Sequence, residues 1–597
     1  MSEKSSMIQD ASDEAMRQAH TTFVENSFEK VVVPKDFAGE KIDVVYRKQL
    51  ISAGFRTAYY APVVPGTHIV DGLIYERDVA ALTRDGRKIY CDIYRPQNMT
   101  DIPIIIAWTY YGKRMQYGAA ETPGLHQAMG VPKEAISPHT TFEAPDPTYW
   151  CSQGYAVAYV DNAGTGYSEG VNNAWTVANG QDGYDVIEWL AALKWCNGKI
   201  GMSGDSALTS VMWYIAAENP PHLAAIAPWE GQSDLYRSWM APGGIPHLPF
   251  GNLIWGDWRG VTMTEDLVEM IKAYPLMNGY WEDHNAKVEQ ITTPAYISAG
   301  LGHPYHLRDT MLSYTKMQSK NKWLRIHRDF EWPDFYKPAN CADLTRFFDR
   351  YLKGIHNAWE MTPRVRVEVT DAYEYDYVTN RPEGDWPIPR TAYTKFFLNA
   401  AEGALVKTPP TKEATVKYDP NTEEALFVCT FSEDTEITGH SALRLWIEID
   451  KGSEADVFVQ VRKLDANGSF VPVYVFGEPD PGFIGRLRAS HRELDLAKST
   501  EYLPVHPHTS EQPLRPGEIV PLDIEIWPNS RIWHKGEKLQ ISVTGRLIRD
   551  KNWFLPTAYE TKNEGHHIIH TGGQYDSFFL APVVPPKYTS GDYIYRG

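Results

Sequence analysis

The stretch "GKIGMSGDSALTS", residues 198–210, decides the fold. It nearly matches G-x-S-x-G, the motif in which a strand turns sharply into a helix and exposes a serine at the turn. Gly204 and Ser206 are in place, but Leu208 stands where the second glycine belongs. The apolar run "KIGMS" (199–203) reads as a strand, and "SALTSVMWYIAAE" (206–218) as the helix that follows. A serine there can simply cap a helix. A glycine two residues earlier, however, suits a turn too tight for a side chain, which favours a nucleophile. Ser203 falls within the strand end and is expected to face the interior.

Working outward, short β-rich runs alternate with helical stretches from about residue 72 to 360. They include "IYERDVAAL", "KIYCDIYRP", "PIIIAWT", "YAVAYVD", "LAAIAPW", "PAYISAG" and "KWLRIHR". Several are continuously apolar, as strands buried on both faces are, so the fold class is α/β. "DGYDVIEWLAALKWCNG" (182–198) sets Val186, Ile187, Leu190 and Leu193 on one face, a crossover helix that Gly198 would stop. Residues 232–290 break the rhythm with a Trp-, Met- and Tyr-rich insertion, read as a helical cap. Beyond residue 359 helices nearly vanish and strands such as "ALRLWIEID" and "KLQISVTG" succeed one another, which predicts a C-terminal β-sandwich of jelly-roll type. The expected division is an N-terminal extension (1–70), an α/β core (71–231 and 291–358), the cap (232–290) and the sandwich (359–597).

The 597 residues exceed what one core serves, and they carry a formal net charge of −18 with no long basic run. That excludes nucleic acid and anionic membrane surfaces as expected partners. "MSEKSSMIQDASDEAMRQ" at the start lacks the apolar centre of a signal peptide, so a cytoplasmic location is expected. The five cysteines are scattered, suggesting reduced thiols rather than disulfides. "EGHHIIH" (564–570) concentrates histidines, but strand alternation sends neighbours to opposite faces. No metal or cofactor is expected. The partner is a small-molecule substrate, and the sequence leaves a homo-oligomer open.

Five fragments in order resemble the cocaine-esterase-like and X-prolyl dipeptidyl-peptidase group of serine hydrolases: "YERDVAALTRDGRKIYCDIYRP", "TYYGK", "YWCSQGYAVAYVDNAGTGYSEG", "IEWLAALKWCNGKIGMSGDS" and "LAAIAPWEGQSDLYR". The resemblance spans roughly residues 70–590. It implies an α/β-hydrolase core with a helical cap and a jelly roll, and acyl hydrolysis of an ester, amide or peptide-like bond. It places the nucleophile at Ser206 and an oxyanion-holding tyrosine at Tyr111, with the backbone N–H of Ala207 as the second donor. Thr209 stands where the family has another glycine.

The other two triad members depart from the pattern. Where the family places its aspartate, after the seventh strand, this sequence has His303, with His306 close behind; where the family places its histidine, after the eighth, it has Glu331. Acid and base have exchanged loops. A serine needs a base near neutral pKa, and the base a carboxylate to hold its tautomer. His303, His306 and His327 are the candidate bases, and Glu331 and Glu230 the candidate carboxylates; His306 or His303 with Glu331 is the preferred pair. Glu230, just after the sixth strand, is also a candidate to contact substrate. The exchange motivates an alternative in which Glu331 and a histidine catalyse a non-hydrolytic proton transfer, cyclisation or acyl transfer.

Overall fold

A computed structural model describes residues 30–48, 63–115, 125–249, 251, 260–372, 375–475, 478–548 and 558–587. Every strand expected in the α/β region forms. The strands β1 (Lys30–Phe37), β2 (Glu40–Lys48), β3 (Gly66–Val70), β4 (Leu73–Leu82), β5 (Lys88–Pro96) and β6 (Ile102–Thr109) are followed by β7 (Ala156–Asp161), β8 (Cys196–Asp205) and β9 (Leu223–Trp229). After β10 (Met263–Glu265) come β11 (Ala295–Gly300), β12 (Lys322–His327) and β13 (Val365–Thr370).

Pairing sets β3 to β9 and β11 to β13 side by side in the order β3-β4-β5-β7-β6-β8-β9-β11-β12-β13, parallel from β7 onward. The apolar runs follow from burial on both faces. Along β6, Ile104, Ile106 and Trp108 enter one core with Val186, Ile187 and Leu190 of α1 (Val177–Ala191) and Val211 and Ile215 of α2 (Ala207–Ala217). The alternate residues Ile105 and Ala107 enter the opposite core with Phe347 and Phe348 of a later helix, Pro338–Leu352. Helix α1 stops at Ala191, before Gly198, which instead lies inside β8 with φ +75°.

Two boundaries differ from the sequence reading. β13 runs parallel to β12, so the sheet continues past residue 358 and then joins the C-terminal strands through Asp376–Glu383 and Thr370↔Arg531. The N-terminal hairpin β1–β2 is tied to the insertion, because β2 pairs with β10. The insertion mixes short helices at Leu267–Ala273 and Gly279–Asp283, a π turn at Tyr236–Met240, and a strand. Its residues 250 and 252–259, like the leader 1–18, lie outside the described residues.

The C-terminal region is antiparallel and strand-rich, as expected. Strand Thr435–Ile449 pairs with Val520–Trp533, and Leu443, Leu445 and Ile447 meet Leu522, Ile524 and Ile526 in a separate core. In "EGHHIIH", His566 pairs with Asp450, His567 with Tyr418 and His570 with Glu448, so the three diverge. No described helix is long and apolar enough to cross a membrane.

Candidate active site

The elbow forms despite Leu208. Ser206, between β8 and α2, has φ 54° and ψ −117°, a conformation that costs an L-residue energy and is tolerated where function requires it. A Cβ on Gly204 would come within 2.7 Å of the Leu208 Cβ, so one glycine makes room for the side chain at the other position. Thr209 bonds the carbonyls of Gly204 and Trp229, and a Cβ at Gly231 would meet its methyl at 2.3 Å. The glycine absent at 209 is thus offset at Gly231, across the turn. Ser203 is buried in β8, as expected.

The loops after β11 and β12 deliver the base and carboxylate in exchanged order. His306, at the N-terminus of helix α3 (Leu307–Lys316), places Nε2 3.0 Å from Ser206 Oγ. Burial, with His303 adding to it, drives the His306 pKa well below the imidazole norm, so it is neutral and able to accept a proton. Its Nδ1, where the triad template has a carboxylate, meets no hydrogen-bond partner among the described residues. His303 stacks on it at 4.2 Å between centroids, 23° between planes. His303 Nδ1 accepts the backbone N–H groups of Tyr305 and His306, which puts its proton on Nε2, 3.2 Å from Glu331 Oε2. Glu331 therefore reaches the base through a second imidazole.

Glu331 opens helix α4 (Glu331–Phe335), is buried, and has its pKa pushed well above the usual carboxylate range by burial. His303, His306 and Glu331 each offer a ligand atom within 4.8 Å of the others. Linear spacing does not flag this metal-sized group, since it is assembled from two loops. The remaining pair forms elsewhere: Glu230, at φ 54°, lies 2.9 Å from His327 Nε2, and burial lowers His327 to about 4. Arg325 is held by Asp334 and Arg328 by Asp376, so neither pairs with Glu331. Glu230, His303 and Glu331 line a cavity of about 280 Å³ together with Tyr474 of the C-terminal region.

On the other side of Ser206, the expected oxyanion donors converge on a residue that sequence reasoning missed. Glu143 is fully buried at φ 63°, and its backbone carbonyl accepts the Asp205 N–H. Tyr111 OH lies 3.4 Å and Trp332 Nε1 3.1 Å from Glu143 Oε1. The Ser206 hydroxyl and the Ala207 N–H donate toward the same carboxyl and favour its charged form. Burial first, then the Glu331 charge, raises its pKa well above normal. In sequence Glu143 is a single acid in "TTFEAPDP", with nothing to mark its burial. From the insertion, Trp239 leans on the His306 ring at 5.4 Å between centroids.

A parallel sheet with a strained serine at a strand end and a buried imidazole on its hydroxyl marks a hydrolase-type fold. Residues 85–259 match the family model of the X-Pro dipeptidyl-peptidase (S15 family), and residues 357–579 that of the X-Pro dipeptidyl-peptidase C-terminal non-catalytic domain. The crystal structure of a CocE/NonD family hydrolase from Staphylococcus aureus is 31% identical, with 94% of this chain and 98% of that one covered and a TM-score of 0.81. A cocaine esterase from Rhodococcus sp. (strain MB1 Bresler) is 24% identical over 84% of this chain and 97% of its own length. An α-amino acid ester hydrolase structure, 16% identical with a TM-score of 0.64 over 89% of this chain and all of its own, shares the fold. The chain belongs to the CocE/NonD family and is a hydrolase enzyme. These relatives do not favour the non-hydrolytic alternative.

Proposed function

We propose that this hydrolase cleaves a small ester or amide through an acyl-enzyme on Ser206. The contact between Ser206 Oγ and His306 Nε2, 3.0 Å long at a strained elbow, carries the reading. His306 takes the hydroxyl proton as Oγ bonds to the acyl carbon, then returns it to the leaving group as the tetrahedral adduct collapses. Water repeats the sequence and releases the acid. Tyr111 OH and Ala207 N–H receive the oxyanion, and such donors are worth about 3 to 4 kcal/mol each in the transition state. Trp239 beside His306 supports an apolar group near the scissile bond. We read the C-terminal strands as a jelly roll and the insertion as the cap over this pocket.

A fluorophosphonate probe tests the reading. Peptide mapping is expected to find the adduct on Ser206, with Ser203 and Ser210 unmodified because both are buried in the fold. Modification elsewhere with Ser206 untouched would refute it.

A further inference from the structure

We propose that Glu143 is a third oxyanion-hole donor, a carboxylic acid whose O–H hydrogen-bonds the developing alkoxide beside Tyr111 and Ala207. The inference rests on the acyl-enzyme reading above and adds to it a residue that neither the elbow nor the family pattern marks.

Donor accounting assigns the proton. Glu143 Oε1 faces two donors, Tyr111 OH and Trp332 Nε1–H, so it is the carbonyl oxygen of the acid. Oε2, buried and without a hydrogen-bond partner among the described residues, is then the hydroxyl. An unspent O–H at full burial is costly unless a substrate atom completes it. The acceptor has a defined place, because Tyr111, whose OH lies 3.4 Å from Glu143 Oε1, is the tyrosine expected to hold the oxyanion, and the Glu143 backbone carbonyl takes the Asp205 N–H beside Ser206. An oxygen bonded to a carbon under attack by Oγ enters that convergence.

Burial and the Glu331 charge keep the acid neutral, against the Trp332, Ser206 and Ala207 donors, which favour its charged form. Asp205 at the end of β8 and Glu331 on α4 are the carboxyls facing it, Tyr336 just past α4 and Tyr111 are the hydroxyls, and Ser206 completes the ring. No lysine or arginine is among them. A neutral acid in such a site can donate to an oxyanion. An ionised Glu143 would instead present acceptors to a forming negative charge. The backbone is fitted to the task, since the strained φ and the Asp205 N–H bond lock Glu143 to the elbow it serves. No proton leaves Glu143 in the cycle: it donates a hydrogen bond as the carbonyl pair moves onto oxygen, and keeps its proton when the adduct collapses.

The test is the second-order rate of Ser206 modification by a fluorophosphonate, measured from pH 5 to 10, because the phosphoryl oxygen occupies the same hole. Glu143→Ala is expected to react about 10²- to 10³-fold more slowly, the cost of one such donor. Glu143→Gln, whose amide still donates but does not titrate, is expected to recover to within about tenfold of wild type at neutral pH. It should also lose the alkaline fall that wild type shows as Glu143 ionises. A Glu143→Ala rate equal to or above wild type would overturn the proposal by making the carboxyl a plug rather than a donor. So would an alkaline limb that persists in Glu143→Gln. If Glu143→Ala does not fold, the pH profile of Glu143→Gln decides alone. Wild-type protein left unmodified at Ser206 would overturn the acyl-enzyme reading and this inference together, whereas normal wild-type labelling with the wrong variant pattern overturns this inference only.

Discussion

Replacing Glu331 by Gln separates a through-space carboxylate from the hydrogen-bonded one of the triad template. Glu331 lies 3.2 Å from His303, and ligand atoms of His303, His306 and Glu331 lie within 4.8 Å of one another. At that distance, with an effective dielectric of about 20, a unit charge stabilises the His306 imidazolium by about 3 kcal/mol. Its loss is expected to slow reaction a few hundredfold, against about 10⁴-fold where a carboxylate directly holds the base's tautomer. The deficit depends on pH with a defined sign. Burial holds the Glu331 pKa well above normal, so at low pH both proteins carry a neutral side chain and their rates converge. As pH rises through that pKa, wild type gains the charge and the gap opens. Fluorophosphonate inactivation of both proteins from pH 5 to 9 measures the ratio. In the variant, the alkaline limb assigned to Glu143 should also move to lower pH, since the Glu331 charge is one of the influences raising it. A loss of 10⁴-fold at every pH, or a ratio that does not change with pH, would refute the reasoning.

His306→Ala should cost about as much as Ser206→Ala, because members of a catalytic unit fail together, while His303→Ala should lose about 10- to 100-fold through the freed Glu331 and the lost stack; equal losses in both would move the base assignment. Acid should unfold the protein: burial holds His126, His327, His491 and His567 at about 4, so the stability they contribute is complete above about pH 6.5 and disappears as pH falls toward 4, by about 3 kcal/mol for each. Thermal melts at pH 7 and pH 4.5 measure it, and an unchanged midpoint would refute it.

The strands of the parallel sheet were legible because burial on both faces leaves the sequence little choice. Ile104 and Ile105 point into different cores and must both be apolar. The boundary at 358 was not legible, since "RVRVEVT" reads equally as a sandwich strand, and only its pairing with β12 assigns it to the sheet. Ser206 was legible through Gly204, and the compensation of Leu208 and Thr209 through Gly204 and Gly231 was not, being a matter of distances across the turn. The choice between His303 and His306 was closed to sequence because both follow β11 in one loop. It is made where α3 begins, with His306 turned to Ser206 and His303 turned to Glu331. Glu143 was illegible because its meaning lies in convergence: Tyr111, Trp332 and the elbow residues Asp205 and Ala207 come from three separate segments.

The exchange of loops has an electrostatic consequence that joins the two halves of the site. His306 sits at a helix N-terminus and deep in the fold, and both conditions disfavour its charged form. A base so placed is ready to accept a proton but gains little support once it has one, and its Nδ1 has no hydrogen-bond partner among the described residues. Above its raised pKa, the charge on Glu331 supplies that support. The same charge acts on Glu143 and opposes its ionisation, as expected of two carboxyls sharing a buried site, of which only one ionises readily. Once ionised, Glu331 thus favours a positive His306 and a neutral, donating Glu143, the two protonation states that attack on a carbonyl requires. A site with a carboxylate bonded directly to the base would hold His306 better. With the acid on the loop after β12, one charge serves both the proton acceptor and the oxyanion donor.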